Sequence, residues 1–168
     1  MIIMGINETS HDAAAALIED GNILFAGHAE RYSKEKNDWY INQELIDDAL
    51  SYGKPDVIAY YEKPYLKASR ILLRGGNSDW KPRFDLDLKR VSFKHHYSHA
   101  CAGYYTSPFD DAVIVVLDAI GEWNTSTIWV GEGECIFNRY TQNYPVSFGL
   151  FYSAFTKDRK STRLNSSH

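Results

Sequence analysis

The chain has 168 residues, of which 44% are hydrophobic and 24% are charged, and its formal net charge is −4. This length supports one domain with a core, and the acidic balance excludes the basic footprint expected of a nucleic-acid-binding protein. No apolar run approaches the roughly 18 residues of a membrane span, and residues 1–5 lack the features of a signal peptide. Cys101 and Cys135 form no disulfide framework, so we expect a cytoplasmic protein with reduced thiols and no membrane partner.

The first part of the chain alternates apolar runs with turn signals. Three predicted strands come first, at residues 2–6, 13–18 and 23–27, with a turn at 19–22. Apolar residues at helical spacing then predict a helix over 41–52, and Gly53 ends it. The remaining expected elements, in chain order, are a buried strand over 57–61, a short helix over 66–73, a loop over 75–82, a strand over 91–93 and a helix over 98–106.

The opening order of elements begins again near residue 112. The expected second set comprises strands at 112–117, 125–130 and 135–140, with a loop at 118–122 and a turn at 131–134. Residues 1–28 and 112–140 therefore have the pattern of two copies of one unit. A strand meander followed by a helix and a parallel strand, begun twice, predicts an α/β protein of the actin-like ATPase (ribonuclease-H-like) fold. We expect a complete first lobe (about 1–110) and a second lobe (112–157) cut after its meander.

The last eleven residues, 158–168, differ in character from the rest of the chain. They are polar, they lack periodicity and they contain one apolar residue, Leu164. A disordered terminus is the simple interpretation. The string also has the form of a sequencing adapter translated in frame, so we expect a non-native tail after Lys157 and exclude it from the fold prediction.

The most specific motif is the pentapeptide His95-His96-Tyr97-Ser98-His99, which holds half of the six histidines. On a helix, His95 and His99 lie one turn apart on one face, near enough to share a metal ion. Neutral imidazole is a ligand for Zn, Fe, Ni and Cu. A pair of surface histidines is the alternative. No Glu follows the first histidine, so the motif differs from that of zinc proteases.

Two polar loops occupy equivalent places in the two meanders. In the second, Asp118 ends a strand and precedes a turn, where it can hold a metal ion or cap backbone amides. In the first, His11 can act as a hydrogen-bond donor or an acid–base group, or the loop is a plain hairpin connection. In an actin-like fold these loops grip nucleotide phosphates, which predicts the cofactor-binding residues Asn7, Ser10, Gly121, Glu122 and Thr125.

A charged segment follows the first meander, from Glu30 to Lys36. A solvated surface is the ordinary interpretation of such a segment. Arg31 or Lys36 can instead bind an anionic group such as a phosphate.

Taken in order, these strings resemble the carbamoyltransferases that modify nodulation factors and aminoglycosides. The matching blocks are Gly5-Ile6-Asn7, His11-Asp12-Ala13, Glu30-Arg31 with Lys36, His95-His96 with His99-Ala100, Ser107-Pro108-Phe109, Asp118 with Gly121-Glu122-Trp123, and Pro145 with Ser147, Gly149, Leu150 and Tyr152. The resemblance runs from residue 2 to residue 157. It implies an actin-like domain similar to the tRNA threonylcarbamoyl-transfer protein, followed by a C-terminal carbamoyl-adenylate-forming domain of the same polypeptide.

The resemblance also implies a reaction and roles for individual residues. Carbamoyl phosphate is activated with ATP, and the carbamoyl group then passes to a hydroxyl of a small-molecule acceptor. His95, His99 and Asp118 match ligands of a divalent metal, with Fe2+ expected. His11 and Lys36 match catalytic residues at the carbamoyl-adenylate site, where a donor and a cation stabilise a developing oxyanion.

The sequence departs from the family pattern in two places. Ala119 stands where the family has glycine, which affects the geometry of the nucleotide loop. A fourth metal ligand, an aspartate further along in the family, is absent, so we expect no activity from this chain alone. The rival functions are a kinase or another actin-like ATPase, a tRNA-modifying enzyme, and an inactive metal-binding remnant.

Overall fold

The computed structural model describes most of the chain in two compact units. The described residues are 1–9, 12–73, 75–77, 84 and 86–165, with side chains described as far as 157. One unit comprises Met1–Lys94 and the other His95–His168. Within the described residues, no helix is long and apolar enough to span a membrane.

The first unit opens with an antiparallel meander. Its strands are β1 (Ile2–Asn7), β2 (Ala14–Glu19) and β3 (Asn22–His28). The β2–β3 hairpin closes with the pair Glu19 and Asn22. Both residues of the turn have positive φ, 47° at Asp20 and 86° at Gly21, which is the backbone that a two-residue hairpin turn requires. The predicted meander is therefore confirmed.

Two parallel strands extend this meander into a five-stranded sheet. Strand β4 (Val57–Tyr60) pairs with β1, and β5 (Arg90–Ser92) pairs with β4. The strand order is β3-β2-β1-β4-β5. Parallel neighbours need a crossover connection, and the helices between β3 and β4 provide it. A meander joined by a helix to a parallel strand is the predicted arrangement, and the α/β, actin-like fold class is confirmed.

The helices of the first unit are α1 (Glu30–Ser33), α2 (Gln43–Tyr52) and α3 (Pro64–Leu73). Helix α2 begins where the Asn42 side chain accepts a hydrogen bond from the Leu45 backbone N–H, a standard N-cap. Its buried side chains, Leu45, Ile46 and Ala49, join the core of the sheet. The predicted loop over 75–82 is described only at 75–77; its other residues lie outside the described part.

The second unit combines a three-stranded antiparallel sheet with two helices. Its elements are α4 (His95–Tyr105), β6 (Asp111–Gly121), β7 (Asn124–Glu132), β8 (Cys135–Asn143) and α5 (Phe148–Asn165). Ala100 of α4 packs with Val116 and Trp129 in the core. Helix α4 thus belongs to the second compact unit, whereas the repeat pattern assigned it to the first lobe.

Several boundaries in this unit differ from the prediction, including the three that follow. Helix α4 begins at His95, three residues earlier than expected. Strand β6 continues through residues 118–121 instead of ending in a loop, because a bulge between Leu117 and Gly121 absorbs the extra residues. The backbone of α5 continues to Asn165, so the first eight residues of the polar tail are helical rather than irregular. The origin of that tail stays a prediction.

One face of β6 carries exposed apolar side chains. Val113, Val115 and Leu117 are 70%, 58% and 61% exposed, while the alternating Val116 is buried. This follows from the two-residue period of a strand, which sends successive side chains to opposite faces. Helix α4 covers one face, and the other face leaves a row of valine and leucine side chains in contact with solvent.

Candidate metal centre

The two histidines of the pentapeptide lie in the first turn and a half of α4. The Nε2 atoms of His95 and His99 are 3.0 Å apart, because residues four apart project from the same face of a helix. Their rings meet edge to face, with centroids 4.7 Å apart. The His95 side chain is largely buried and His99 is exposed. The predicted pairing of these two side chains is thus present in the structure.

Asp118 completes a three-residue cluster with these histidines. Its Oδ2 atom lies 3.0 Å from His95 Nε2, and one ligand atom from each residue lies within 4.8 Å of the other two. The bulge in β6 places Asp118 here, since bulges change the direction in which a strand side chain points. Two imidazole nitrogens and one carboxylate oxygen therefore converge from two separate elements.

The backbone around Asp118 is held by the start of α5. The Ser147 hydroxyl donates to the carbonyl oxygens of Asp118 (3.2 Å) and Ala119 (2.7 Å). It also accepts a hydrogen bond from the Leu150 N–H, as an N-cap residue does. A Cβ atom on Gly149 would lie 2.7 Å from both Ala119 N and Asp118 O. Only a glycine at position 149 allows the backbone of α5 to approach the backbone of Asp118 and Ala119 this closely.

Gly121 has a comparable packing role beneath the histidines. A Cβ atom at this position would lie 2.4 Å from Cδ2 of His95 and 2.8 Å from Cδ2 of His96. Carbon atoms in contact normally stay about 3.5 Å apart. The absence of a side chain at Gly121 therefore gives the His95 ring its space, and the predicted contact of Gly121 with a phosphate stays a prediction.

His96 points away from the cluster into the core of the second unit. It is 1% exposed, and its Nδ1 atom lies 3.0 Å from Thr127 Oγ1. That oxygen already accepts the indole N–H of Trp129 at 2.7 Å, so the Thr127 hydroxyl proton is available to Nδ1. Burial lowers the pKa of His96 to about 4, with the neighbouring His95 acting in the same direction. His96 is a neutral core residue.

Two of the three side chains, Asp118 and His99, have protonation states that suit metal binding. Burial alone raises the pKa of the Asp118 carboxyl, but the hydrogen bond and charge of His95 and the N–H of Ala119 outweigh it, and the pKa falls to about 2. Partial desolvation and the proximity of His95 lower the pKa of His99. At neutral pH the carboxylate is charged and His99 is neutral, which are the forms that bind cations.

The predicted residues of the first unit are described only in part. Ser10 and His11 lie outside the described residues. Asn7 donates through Nδ2 to the carbonyl of Asp12 at 3.2 Å. Lys36 is exposed in the turn after α1. The backbone just beyond it pairs with both ends of the His11 loop, from Thr9 N to Trp39 O (2.7 Å) and from Ala13 N to Asp38 O (2.8 Å). The structure therefore brings residues 38 and 39, just after Lys36, beside Thr9 and Ala13.

The remaining predicted contacts with a nucleotide fall at the β6–β7 turn. Glu122 is 4% exposed and has a positive φ of 56°. Thr125 is fully buried, and its hydroxyl lies within hydrogen-bonding distance of the carbonyls of Val146 and Gln142, at 2.5 and 3.2 Å. Thr125 thus ties β7 to the chain that follows β8. Its contact with a phosphate would require these bonds to break, and stays a prediction.

The sequence interpretation missed the supporting roles of two residues around the cluster. Ser147 and Gly149 entered only as part of a family resemblance. The signal available in the sequence was Ser147 itself, because serine is a preferred N-cap residue. What that cap supports is visible only in three dimensions.

The fold and the site together define an α/β, actin-like domain with a convergent His-His-Asp cluster. The profile of the family described as "Carbamoyltransferase N-terminus" matches residues 58–163, more than half of the chain. The chain therefore belongs to this family of carbamoyltransferase N-terminal domains.

The chain is also similar to individual proteins. The chain is 34% identical over 191 aligned positions to the uncharacterized protein sll1178 of Synechocystis, covering 92% of this chain and 31% of that protein. It is 28% identical to the nodulation protein NolNO of Sinorhizobium fredii, covering 87% and 25%. It is 29% identical to the uncharacterized protein MJ1051 of Methanocaldococcus jannaschii, covering 72% and 23%. The chain thus spans a third or less of the length of these relatives.

The similarity to solved structures is more distant. A structure of the Ppx/GppA enzyme of Aquifex aeolicus is 14% identical, with a TM-score of 0.43 over 92% of this chain and 56% of that chain. A second structure of that family member is 12% identical, with a TM-score of 0.39 over 88% and 52%.

Proposed function

We propose that this chain supplies the metal-binding part of a carbamoyl-transfer site. In this proposal a carbamoyl group derived from carbamoyl phosphate and ATP, as carbamoyl-adenylate, passes to a hydroxyl of a small-molecule acceptor. The observation that carries the proposal is the convergence of His95, His99 and Asp118 within 4.8 Å of one another in a chain of the carbamoyltransferase family.

The three side chains fit a divalent transition metal. Two imidazoles and one carboxylate are ligands that Fe2+ and Zn2+ accept, and three protein ligands leave coordination positions for other groups. The supporting contacts to Asp118 resemble the outer hydrogen bonds that orient ligands in metal sites. When bound, such an ion supplies positive charge that polarises the carbamoyl carbonyl. We propose Fe2+, on the family resemblance.

The other proposed roles belong to the first unit. The acceptor oxygen forms a bond to the carbamoyl carbon, and the bond from that carbon to the adenylate phosphate oxygen breaks, so AMP departs with the electron pair. The hydroxyl proton of the acceptor is released to solvent. A cation at Lys36 and a donor at His11 would stabilise the oxyanion that develops. Asn7 and Ser10 would face the phosphate of the adenylate. The backbone pairing of residues 38 and 39 with Ala13 and Thr9, which flank the predicted catalytic residue in sequence, supports this grouping.

Metal titration of the purified chain tests the ligand set. We expect one of the Fe2+ equivalents that the chain binds, when Fe2+ is added anaerobically, to require the cluster of His95, His99 and Asp118. Asp118→Asn and His99→Ala should each weaken that binding at least tenfold. Asp111→Asn, an exposed aspartate on the same strand, is the matched control and should bind as the parent does. Unchanged affinity in both ligand variants would exclude the cluster as the metal site.

Activity is tested in a full-length protein that contains this domain. We expect His99→Ala to reduce carbamoyl transfer to a hydroxyl acceptor at least a hundredfold, while ATP-dependent formation of carbamoyl-adenylate continues, because activation is assigned to the other domain. Loss of both steps would show that the cluster serves activation or stability instead. Retention of transfer would refute the proposed role of the cluster.

A further inference from the structure

A second group of metal-binding side chains lies in the first unit. Asp12 follows β1, His28 ends β3, and Glu30 begins α1. One ligand atom from each lies within 4.8 Å of the other two, and all three residues are half-buried. His28 Nδ1 is 4.0 Å from Glu30 Oε1. These residues are distant in sequence from the pentapeptide and take no part in the proposed transfer.

Asn37 donates hydrogen bonds to both carboxylates of this group. The Asn37 side chain donates through Nδ2 to Asp12 Oδ1 at 2.9 Å, and its backbone N–H donates to Glu30 Oε2 at 3.3 Å. The two segments are also joined through the backbone, from Ala29 N to Ala13 O at 2.8 Å. Carboxylates oriented by outer hydrogen bonds on a fixed backbone are typical of metal ligands, which lose affinity when that support is removed.

The donor set indicates the class of ion. One imidazole nitrogen and two carboxylate oxygens suit Mn2+, Fe2+ and Zn2+, whereas Mg2+ and Ca2+ favour oxygen ligands alone. The two carboxylates also carry charge opposite to that of a divalent ion. We propose that Asp12, His28 and Glu30 form a second divalent transition-metal site, in addition to the cluster around His95.

Mn2+ titration followed by electron paramagnetic resonance tests the site, because free Mn2+ is counted directly. We expect the 168-residue chain to bind one Mn2+ ion at a site that requires His28 and Glu30. His28→Ala and Glu30→Gln should each weaken that binding at least tenfold. The matched control is Glu35→Gln, an exposed glutamate near Glu30, which should leave it unchanged. His99→Ala should also leave it unchanged, which separates this site from the one around His95.

The supporting residue gives a graded test. Asn37→Ala should weaken the Mn2+ binding roughly tenfold to a hundredfold through the carboxylates that it orients. Circular dichroism and thermal melting of each variant establish folding, and Glu30→Gln keeps the test valid should His28→Ala fail to fold. Binding by Glu30→Gln with the affinity of the parent overturns the proposal. Complete loss of Mn2+ binding in His99→Ala would also overturn the proposal.

Discussion

Gly121→Ala is expected to displace the metal ligand His95 by direct steric contact with its ring. The added methyl group would lie 2.4 Å from His95 Cδ2 and 2.8 Å from His95 Cγ. Contact distances near 3.5 Å require the ring to move by about 1 Å. Because His95 Nε2 sits 3.0 Å from Asp118 Oδ2 and 3.0 Å from His99 Nε2, such a movement changes both distances within the cluster.

The size of the effect follows from packing and from ligand geometry. Overpacking a close-packed site costs about 1–3 kcal/mol of unfolding free energy. Displacing a ligand through its supporting structure typically weakens metal affinity about 10- to 100-fold. We therefore expect Gly121→Ala to lower the urea midpoint and to weaken Fe2+ binding by at least tenfold.

Gly103→Ala is the matched control for this experiment. Gly103 is an exposed glycine in α4, and a Cβ atom there would meet no atom within 4 Å. Alanine in an exposed helix interior stabilises by up to about 1 kcal/mol relative to glycine. The control should therefore keep full metal affinity and raise the urea midpoint. Metal affinity in Gly121→Ala within twofold of the parent would refute the steric argument.

Three further predictions follow from the second unit. Gly149→Ala should weaken Fe2+ binding at least tenfold, since its methyl group would meet backbone atoms of Asp118 and Ala119 at 2.7 Å; calorimetry showing parent affinity would contradict this. The pKa of His96, about 4 when folded against an ordinary 6.5, makes the folded state favour neutral imidazole. Stability is thus full above pH 6.5 and falls by up to about 3 kcal/mol towards pH 4. Urea unfolding of His96→Gln should lack this component of the pH dependence, and equal slopes would refute it. We expect the exposed apolar face of β6 to promote self-association and to bind hydrophobic dyes. Val115→Lys should therefore reduce both, as measured by light scattering and by dye fluorescence. No change in either would show that this face does not mediate self-association.

The local pattern of the sequence determined much of the fold. Alternation of apolar residues and a Glu-Asp-Gly-Asn turn signal predicted the β2–β3 hairpin, because strand period and turn backbone are local properties. Helical spacing predicted the helix over 41–52, whose inward face carries Leu45 and Ile46. The four-residue separation of His95 and His99 determined their contact as soon as a helix was assumed.

The family resemblance grouped Asp118 with the two histidines, but only the tertiary structure shows how the three side chains meet. The sequence predicted a loop at 118–122, but pairing with β7 extends the strand and a bulge redirects the carboxylate. The register between β6 and β7, in which Leu117 pairs with Ser126 and Gly121 with Asn124, sets this bulge, and the turn signals in the sequence did not reveal it. The same is true of Ser147 and Gly149, which support Asp118 from a helix nearly thirty residues later.

Contacts within a segment and contacts between distant segments are determined by different physical factors. The sequence by itself determined the contacts between residues a few positions apart, since backbone periodicity sets those distances. Contacts between distant segments depend on close packing, where a missing Cβ atom at Gly121 makes room for the His95 ring and Asn37 joins Asp12 to Glu30. Such contacts depend on how whole elements meet, and the tertiary structure alone decided them.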